Sequence, residues 1–196
     1  MLMFANYARR FVLSLSGLLL TACLSVPVTS MPRLAGLDPV TMDAAGVEVA
    51  VRAPDDYDLP EDGAILVLSV WREDGDEGRE ERFELVPVSG APSEFLQDRD
   101  KQGFTIHRLH VDPADARRMA DFRTYMLSLK EMPGRKSLSL NVTTRPCLKA
   151  GANPFKDPRV EIYLRPTQDE DYFTLIRERK VPITWPNGEV RYCVAS

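Results

Sequence analysis

The sequence is poor in the residues from which most active sites are built. Histidine occurs twice in 196 residues, at His107 and His110, and cysteine three times, at Cys23, Cys147 and Cys193. Two histidines leave few bases to activate a nucleophile, and no G-x-S-x-G elbow presents a serine. There is no C-x-x-C pair of the kind used in redox motifs and many zinc sites. On a strand His107 and His110 stand an odd number apart and face opposite ways, so they do not readily share a metal. The acidic run Asp74-Gly75-Asp76-Glu77-Gly78 does not satisfy the pattern of a calcium loop, which needs acidic ligands at alternate positions, a glycine at the sixth and a glutamate at the twelfth. It reads as a solvated hairpin tip. Positive charge is also short: the formal net charge is −4, which argues against a nucleic-acid partner. No internal repeat and no second domain boundary are visible. No cofactor signature and no metal site are expected.

What is present begins at the N-terminus. Arg9 and Arg10 precede an apolar stretch, Phe11 to Leu20, interrupted by Ser14, Ser16 and Gly17. That stretch is shorter than the ~20 apolar residues needed to span a bilayer and suits the core of an export signal. It runs into Leu20-Thr21-Ala22-Cys23. This tetrapeptide resembles the lipobox of bacterial lipoproteins, with Leu20 at the apolar position, Thr21 and Ala22 as the small residues and Cys23 as the acceptor. The resemblance covers the first 23 residues. It implies removal of residues 1–22 and attachment of a diacylglycerol to the Cys23 thiol, usually followed by acylation of the new amine. Two or more acyl chains give stable membrane attachment where one does not. Leu24 stands where an aspartate would retain an enterobacterial lipoprotein in the inner membrane. The resemblance therefore implies the outer membrane, facing the periplasm.

Loss of residues 1–22 removes Arg9 and Arg10 and no acid, making the mature chain more acidic by two charges. Lipid on Cys23 rather than a basic surface then holds the membrane. Cys147 and Cys193 remain, in an oxidising compartment, and a disulfide between them is expected ahead of a redox or metal pair. Residues 23–36, rich in Ser, Thr, Pro and Gly, read as a lipidated tether, and 37–196 as a single β-rich domain.

Within that domain Val47, Val49 and Val51 alternate with Glu48, Ala50 and Arg52, the pattern of a half-buried strand. Ala64 to Trp71 is apolar on both parities, as in a central strand. With Arg82 to Val88 it should form a hairpin. Further strands are expected at 104–111, 138–143, 160–165 and 172–177, and a last hairpin around Pro186-Asn187-Gly188. One helix is predicted over about 113–131, with Asp112 as N-cap, Pro113 at the first position and Pro133-Gly134 as its stop. Ala116, Met119, Phe122, Met126 and Leu129 form its apolar stripe. Arg117, Arg118, Arg123 and Lys130 lie mainly on its solvated side. The fold expected is mainly β: an antiparallel β-sandwich with one α-helix.

The irregular segment 148–158, opening after Cys147, is the candidate binding loop, with Lys149, Asn153, Phe155 and Lys156 as its contact residues. Loops on a rigid scaffold often carry function. The Asn141-Val142-Thr143 sequon is read as accidental. Three functions are compatible with these residues. The first is a non-enzymatic binding or structural module of the envelope, with another envelope protein as partner. The second is a carrier of a lipid or other apolar ligand, enclosed by two-faced strands and the Met-bearing helix. The third is a carboxylate-dependent enzyme, and no catalytic pair stands out for it.

Overall fold

The computed structural model describes residues 27–37, 46–73, 78–153, 158–184 and 188–193. The segment expected to be an export signal, Cys23, and loop residues Phe155 and Lys156 lie outside these, as do residues 74–77 of the acidic turn. In chain order the described elements are a 3-10 turn Val28–Ser30, α1 (Met31–Gly36), β1 (Glu48–Pro54), β2 (Tyr57–Asp58), β3 (Ala64–Arg72) and β4 (Gly78–Pro87). There follow α2 (Glu94–Gln97), β5 (Phe104–Val111), a 3-10 turn Pro113–Asp115 and α3 (Ala116–Glu131). β6 (Lys136–Thr144), β7 (Cys147–Leu148), β8 (Arg159–Arg165) and β9 (Phe173–Lys180) complete the set.

Seven strands form one antiparallel sheet in the order β6-β3-β4-β5-β1-β8-β9, and β2 pairs with β7 in a separate ribbon. The sheet is curled and open, a half-barrel. The expected mainly β, antiparallel domain with one long helix is thus present, but the described strands do not form two facing sheets. Helix α3 takes the place of the second sheet. Its Met119, Phe122, Met126 and Leu129 join one core cluster with side chains from strands at both ends of the sheet, Val142 of β6 and Leu175 of β9 included. Phe122 is fully buried and meets Phe83 of β4 edge-on, with ring centroids 6.5 Å apart. Helix stripe and strand alternation each supply one apolar face, and a curled sheet can close on a single helix without a second sheet.

Local signals explain the helix ends. The Asp112 side chain accepts a hydrogen bond from the Ala114 amide at 2.8 Å. The 3-10 turn through Pro113 leads into the helix proper. At the other end the Met132 amide donates to Leu129 O at 3.1 Å, and Gly134 turns the chain at φ 100°, a conformation that favours glycine.

The 64–88 hairpin forms as expected, with Ile65 opposite Glu84 and Trp71 opposite Gly78. At the C-terminus, where a second hairpin was expected, a single bridge joins Thr184 to Val190, and residues 185–187 lie outside the described set. Of the segment 23–36 expected to be a tether, residues 27–36 are described, and they fold against the domain. Ser30 is buried, Arg33 donates to the Tyr172 carbonyl at 3.4 Å, and the Arg33 guanidinium lies 5.9 Å from the Phe173 ring centroid. Among the described residues no helix is long and apolar enough to cross a membrane.

Candidate binding site

The polar parity of β1 was expected to face solvent, and the structure buries it. Glu48 and Arg52 are each 8% exposed and Ala50 is fully buried. In register they lie beside His110, Arg108 and Ile106 of β5, and beside Arg165, Tyr163 and Glu161 of β8. This is the face of the sheet opposite the helix. Glu48 accepts from Arg108 Nη2 at 3.2 Å, from Arg165 Nη2 and from the Tyr172 hydroxyl. Burial pushes the Glu48 carboxyl up, but the Tyr172 hydroxyl, Arg108 and Arg165 outweigh it and hold the group below the usual carboxylate range. The Tyr172 hydroxyl is pushed up to about 12, by burial first and by its bond to Glu48. Two repeats of the pleat away, Arg52 pairs with Glu161 at 3.2 Å and the Tyr163 hydroxyl donates to Glu161.

A sixteen-residue connection between Pro87 and Phe104 covers this face. It carries one short helix, α2, and otherwise runs as irregular chain over the sheet. Phe95 of α2 stacks on Tyr172 (6.1 Å) and meets Tyr163 edge-on (5.7 Å). Leu96 is fully buried beside Ala50 and Tyr163. The Arg99 guanidinium lies 3.4 Å from the Phe95 ring centroid and donates to the Phe95 carbonyl. Arg108 holds the start of the connection, donating through Nη1 to Gly90 O at 2.9 Å and to Ala91 O at 2.8 Å. Gly90 has φ 110°, which a side chain rarely allows.

Between the connection and β5 lies a cleft of about 400 Å³. That is within the ordinary range of small-ligand sites. Val88, Pro92, Leu96 and Gln97 wall it on one side, and Phe104, Thr105, Ile106 and Arg108 of β5 on the other, and Asp100 also lines it. The walls are mixed, about as polar as apolar, and polar groups among them are fixed by their own bonds: Gln97 donates to Pro92 O at 2.9 Å, and Thr105 to Asp55 Oδ1 at 2.7 Å.

The residues singled out from sequence fall elsewhere. Cys147 and Cys193 are joined by a disulfide across 46 positions, with Cα atoms 4.9 Å apart. The bridge ties the C-terminal segment to β7, where the Cys193 amide also donates to Leu148 O and the Leu148 amide to Arg191 O. Lys149 is half-buried, its amide bonded to Asp56 O at 2.9 Å, and Asn153 is exposed. Neither lines the cleft. His107 and His110 lie on opposite faces of β5, beside Val51 and Glu48 of β1 respectively. His107 Nδ1 stands 3.7 Å from Asp58 Oδ1. Burial lowers its pKa, Asp58 opposes that, and Lys149 adds to it. Among the described residues no group of three or more His, Cys, Asp or Glu side chains is placed to hold a metal.

Glu48, Gln97, Ile106 and Arg108 were not singled out by sequence reasoning. The length of the connection after Pro87 was the available signal. Compared with protein-family models, curated proteins and solved structures, the chain matches none.

Proposed function

We propose that this chain is an envelope lipoprotein, anchored by acyl chains on Cys23, whose domain is a non-enzymatic binding module taking its partner in the cleft between β5 and residues 88–103. The cleft carries the reading. It sits at the edge of a face stiffened by the Glu48, Arg108, Arg165 and Tyr172 network, which pre-organises it. The anchor is supported by Leu20-Thr21-Ala22-Cys23, and Leu24 favours the outer membrane, facing the periplasm. The chain is folded against β9 from the 3-10 turn at Val28–Ser30 onward. Four residues beyond Cys23 reach roughly 14 Å at full extension, so the domain stays beside its membrane.

Two alternatives fare worse on the same geometry. The Met-bearing stripe of α3 packs into the core, which argues against a ligand held between helix and sheet. The carboxylates of the outer face, buried Glu48 and half-buried Glu161, sit on neighbouring strands and are offset by four residues in register, roughly 13 Å. Paired acids of glycoside hydrolysis stand about 5–9.5 Å apart. A carboxyl held below its usual range is moreover a poor general acid.

The test is photocrosslinking in cells making the full chain, with the crosslinker at Gln97 in the cleft wall and, as control, at Arg123 on the exposed side of α3. A discrete adduct from Gln97 in the membrane fraction, absent from Arg123, is expected. Equal labelling from both positions would count against a binding cleft.

A further inference from the structure

The cleft opens on the edge of a strand. β4 and β5 are staggered and pair over Leu85–Pro87 and Leu109–Val111 alone. Past that overlap Val88 makes one more bond, its amide donating to Arg108 O at 2.9 Å, and the chain turns away. β5 continues to Phe104, paired to β1 along its whole length from His110. From Arg108 down to Phe104, then, one edge of β5 is occupied and no strand lies along the other among the described residues. In a strand the N–H and C=O of one residue point to the same edge and those of the next residue to the opposite one. The Arg108 carbonyl faces the β4 side, so Ile106 presents both its N–H and its C=O to the open edge. The lining agrees: it takes Thr105 as well as Phe104, Ile106 and Arg108, both parities of the strand, as a cleft at an edge must.

The same stagger leaves a second ledge, on β4 before Leu85, and the fold closes that one. The Asp112 amide donates to Glu84 O at 3.0 Å, and Arg118 Nη2 donates to Arg82 O at 2.7 Å. The start of α3 seals one ledge, while the connection 88–103 is held off the other by Arg108 reaching to Gly90 and Ala91.

We infer that the cleft takes an extended peptide segment of a partner protein, which adds to β5 as a strand by bonding to the N–H and C=O of Ile106. This deepens the binding-module reading and rests on it. Strand addition draws affinity from main-chain bonds and selectivity from alternate side-chain pockets. Phe104 to Arg108 offers room for about four residues, or roughly 14 Å of strand. Side chains on the side of the connection would meet Val88 and Pro92, which suits short apolar residues. Asp100 and Arg108 both line the cleft with opposite charges, that of Arg108 already paired with Glu48, so a segment without strong net charge fits.

The probe is a set of heptapeptides selected from a random displayed library on the full, disulfide-bonded chain. The strand reading expects bound peptides to slow amide hydrogen exchange at Ile106. It expects affinity to drop at least tenfold when alternate peptide amides are N-methylated, and by a similar factor against Ile106→Pro. That proline deletes an N–H on the open edge and leaves the β1 ladder intact, because Thr105 and His107 make the bonds to β1. Gln97→Trp, which fills the cleft, serves if the proline variant does not fold. Peptides lost in Gln97→Trp that tolerate N-methylation would overturn strand addition while leaving the cleft a binding site. A selection yielding no peptide sensitive to Gln97→Trp would overturn the inference. So would an Ile106 amide already protected in the free chain, which would mean that part of the chain itself fills the cleft. The crosslinking result at Gln97 judges the binding-module reading separately.

Discussion

Glu48 of β1 and Arg108 of β5, sixty positions apart in the chain, form an ion pair at 3.2 Å on the sheet face opposite the helix. Arg108 spends its other terminal nitrogen on the carbonyls of Gly90 and Ala91, so a single side chain links the strand network to the wall of the cleft. Glu48→Gln leaves Arg108 and Arg165 facing each other with no carboxylate between them. Removing one partner of a buried pair is more damaging than exchanging the pair. Glu48→Gln should lose about 3 kcal/mol of unfolding free energy, measured by denaturant titration. A loss below about 0.5 kcal/mol, the size of an ordinary surface change, would show that the network does not hold the strands.

Acidification should weaken the fold in two steps. His107 has a folded pKa below its ordinary 6.5, so the unfolded chain binds more protons there. Its contribution is present above pH 6.5 and fades as pH falls below it. Glu48 is held below its ordinary 4.5, so its contribution is present above pH 4.5 and is lost as pH falls through the folded value. Unfolding free energy measured from pH 8 to pH 3 should show both declines. His107→Phe should flatten the first and Glu48→Gln the second. A pH profile unchanged in both variants would contradict the assignment.

Reduction of Cys147–Cys193 removes a cross-link across 46 positions. In the chain-entropy account that is worth about 4 kcal/mol. Beyond the bridge, the C-terminal segment is held by a small cluster of Tyr57, Leu148, Ile183 and Val190 and a few backbone bonds. The Cys147→Ala/Cys193→Ala double variant should unfold at markedly lower denaturant. Its amides near 188–193 should exchange fast, while those of β1, β5 and β8 stay protected. Equal stability with and without reductant would contradict this.

Phe122→Ala should cost about 3–5 kcal/mol, since Phe122 is fully buried and its ring meets Phe83. Leu127→Ala on the same helix, 41% exposed, should stay within about 0.5 kcal/mol. Comparable losses at the two positions would mean that α3 does not pack by the stripe described.

The parts of this fold governed by local periodicity were legible in the sequence. The span Phe104–Val111 reads directly as a strand. Asp112, Pro113 and Gly134 mark the helix, and with Cys23 read as the lipid acceptor the cysteine count leaves one pair for a bridge. Long-range arrangement was not legible. Glu48, Ala50 and Arg52 alternate with valines as a solvent-facing edge would, and they are buried because Arg108, Arg165 and Tyr172 come from 60 to 124 positions away. Alternation also leaves open what covers an apolar face. A second sheet was the expectation, and one helix does it. The cleft depends on how far β4 slides past β5, and no residue type encodes that stagger. The 148–158 loop drew attention by composition, whereas the longer connection after Pro87, with its buried Leu96 and stacked Phe95, shapes the cleft.

The claim on which the rest depends is that this is a lipid-anchored envelope protein, and intact mass of the membrane-extracted protein tests it most directly. The account predicts a chain beginning at Cys23 with added acyl mass, membrane association lost in Cys23→Ala, and a gain of two hydrogens on reduction of the Cys147–Cys193 bridge. A chain that keeps residues 1–22, or a mature mass without acyl groups and with two free thiols, would contradict both the anchor and the compartment.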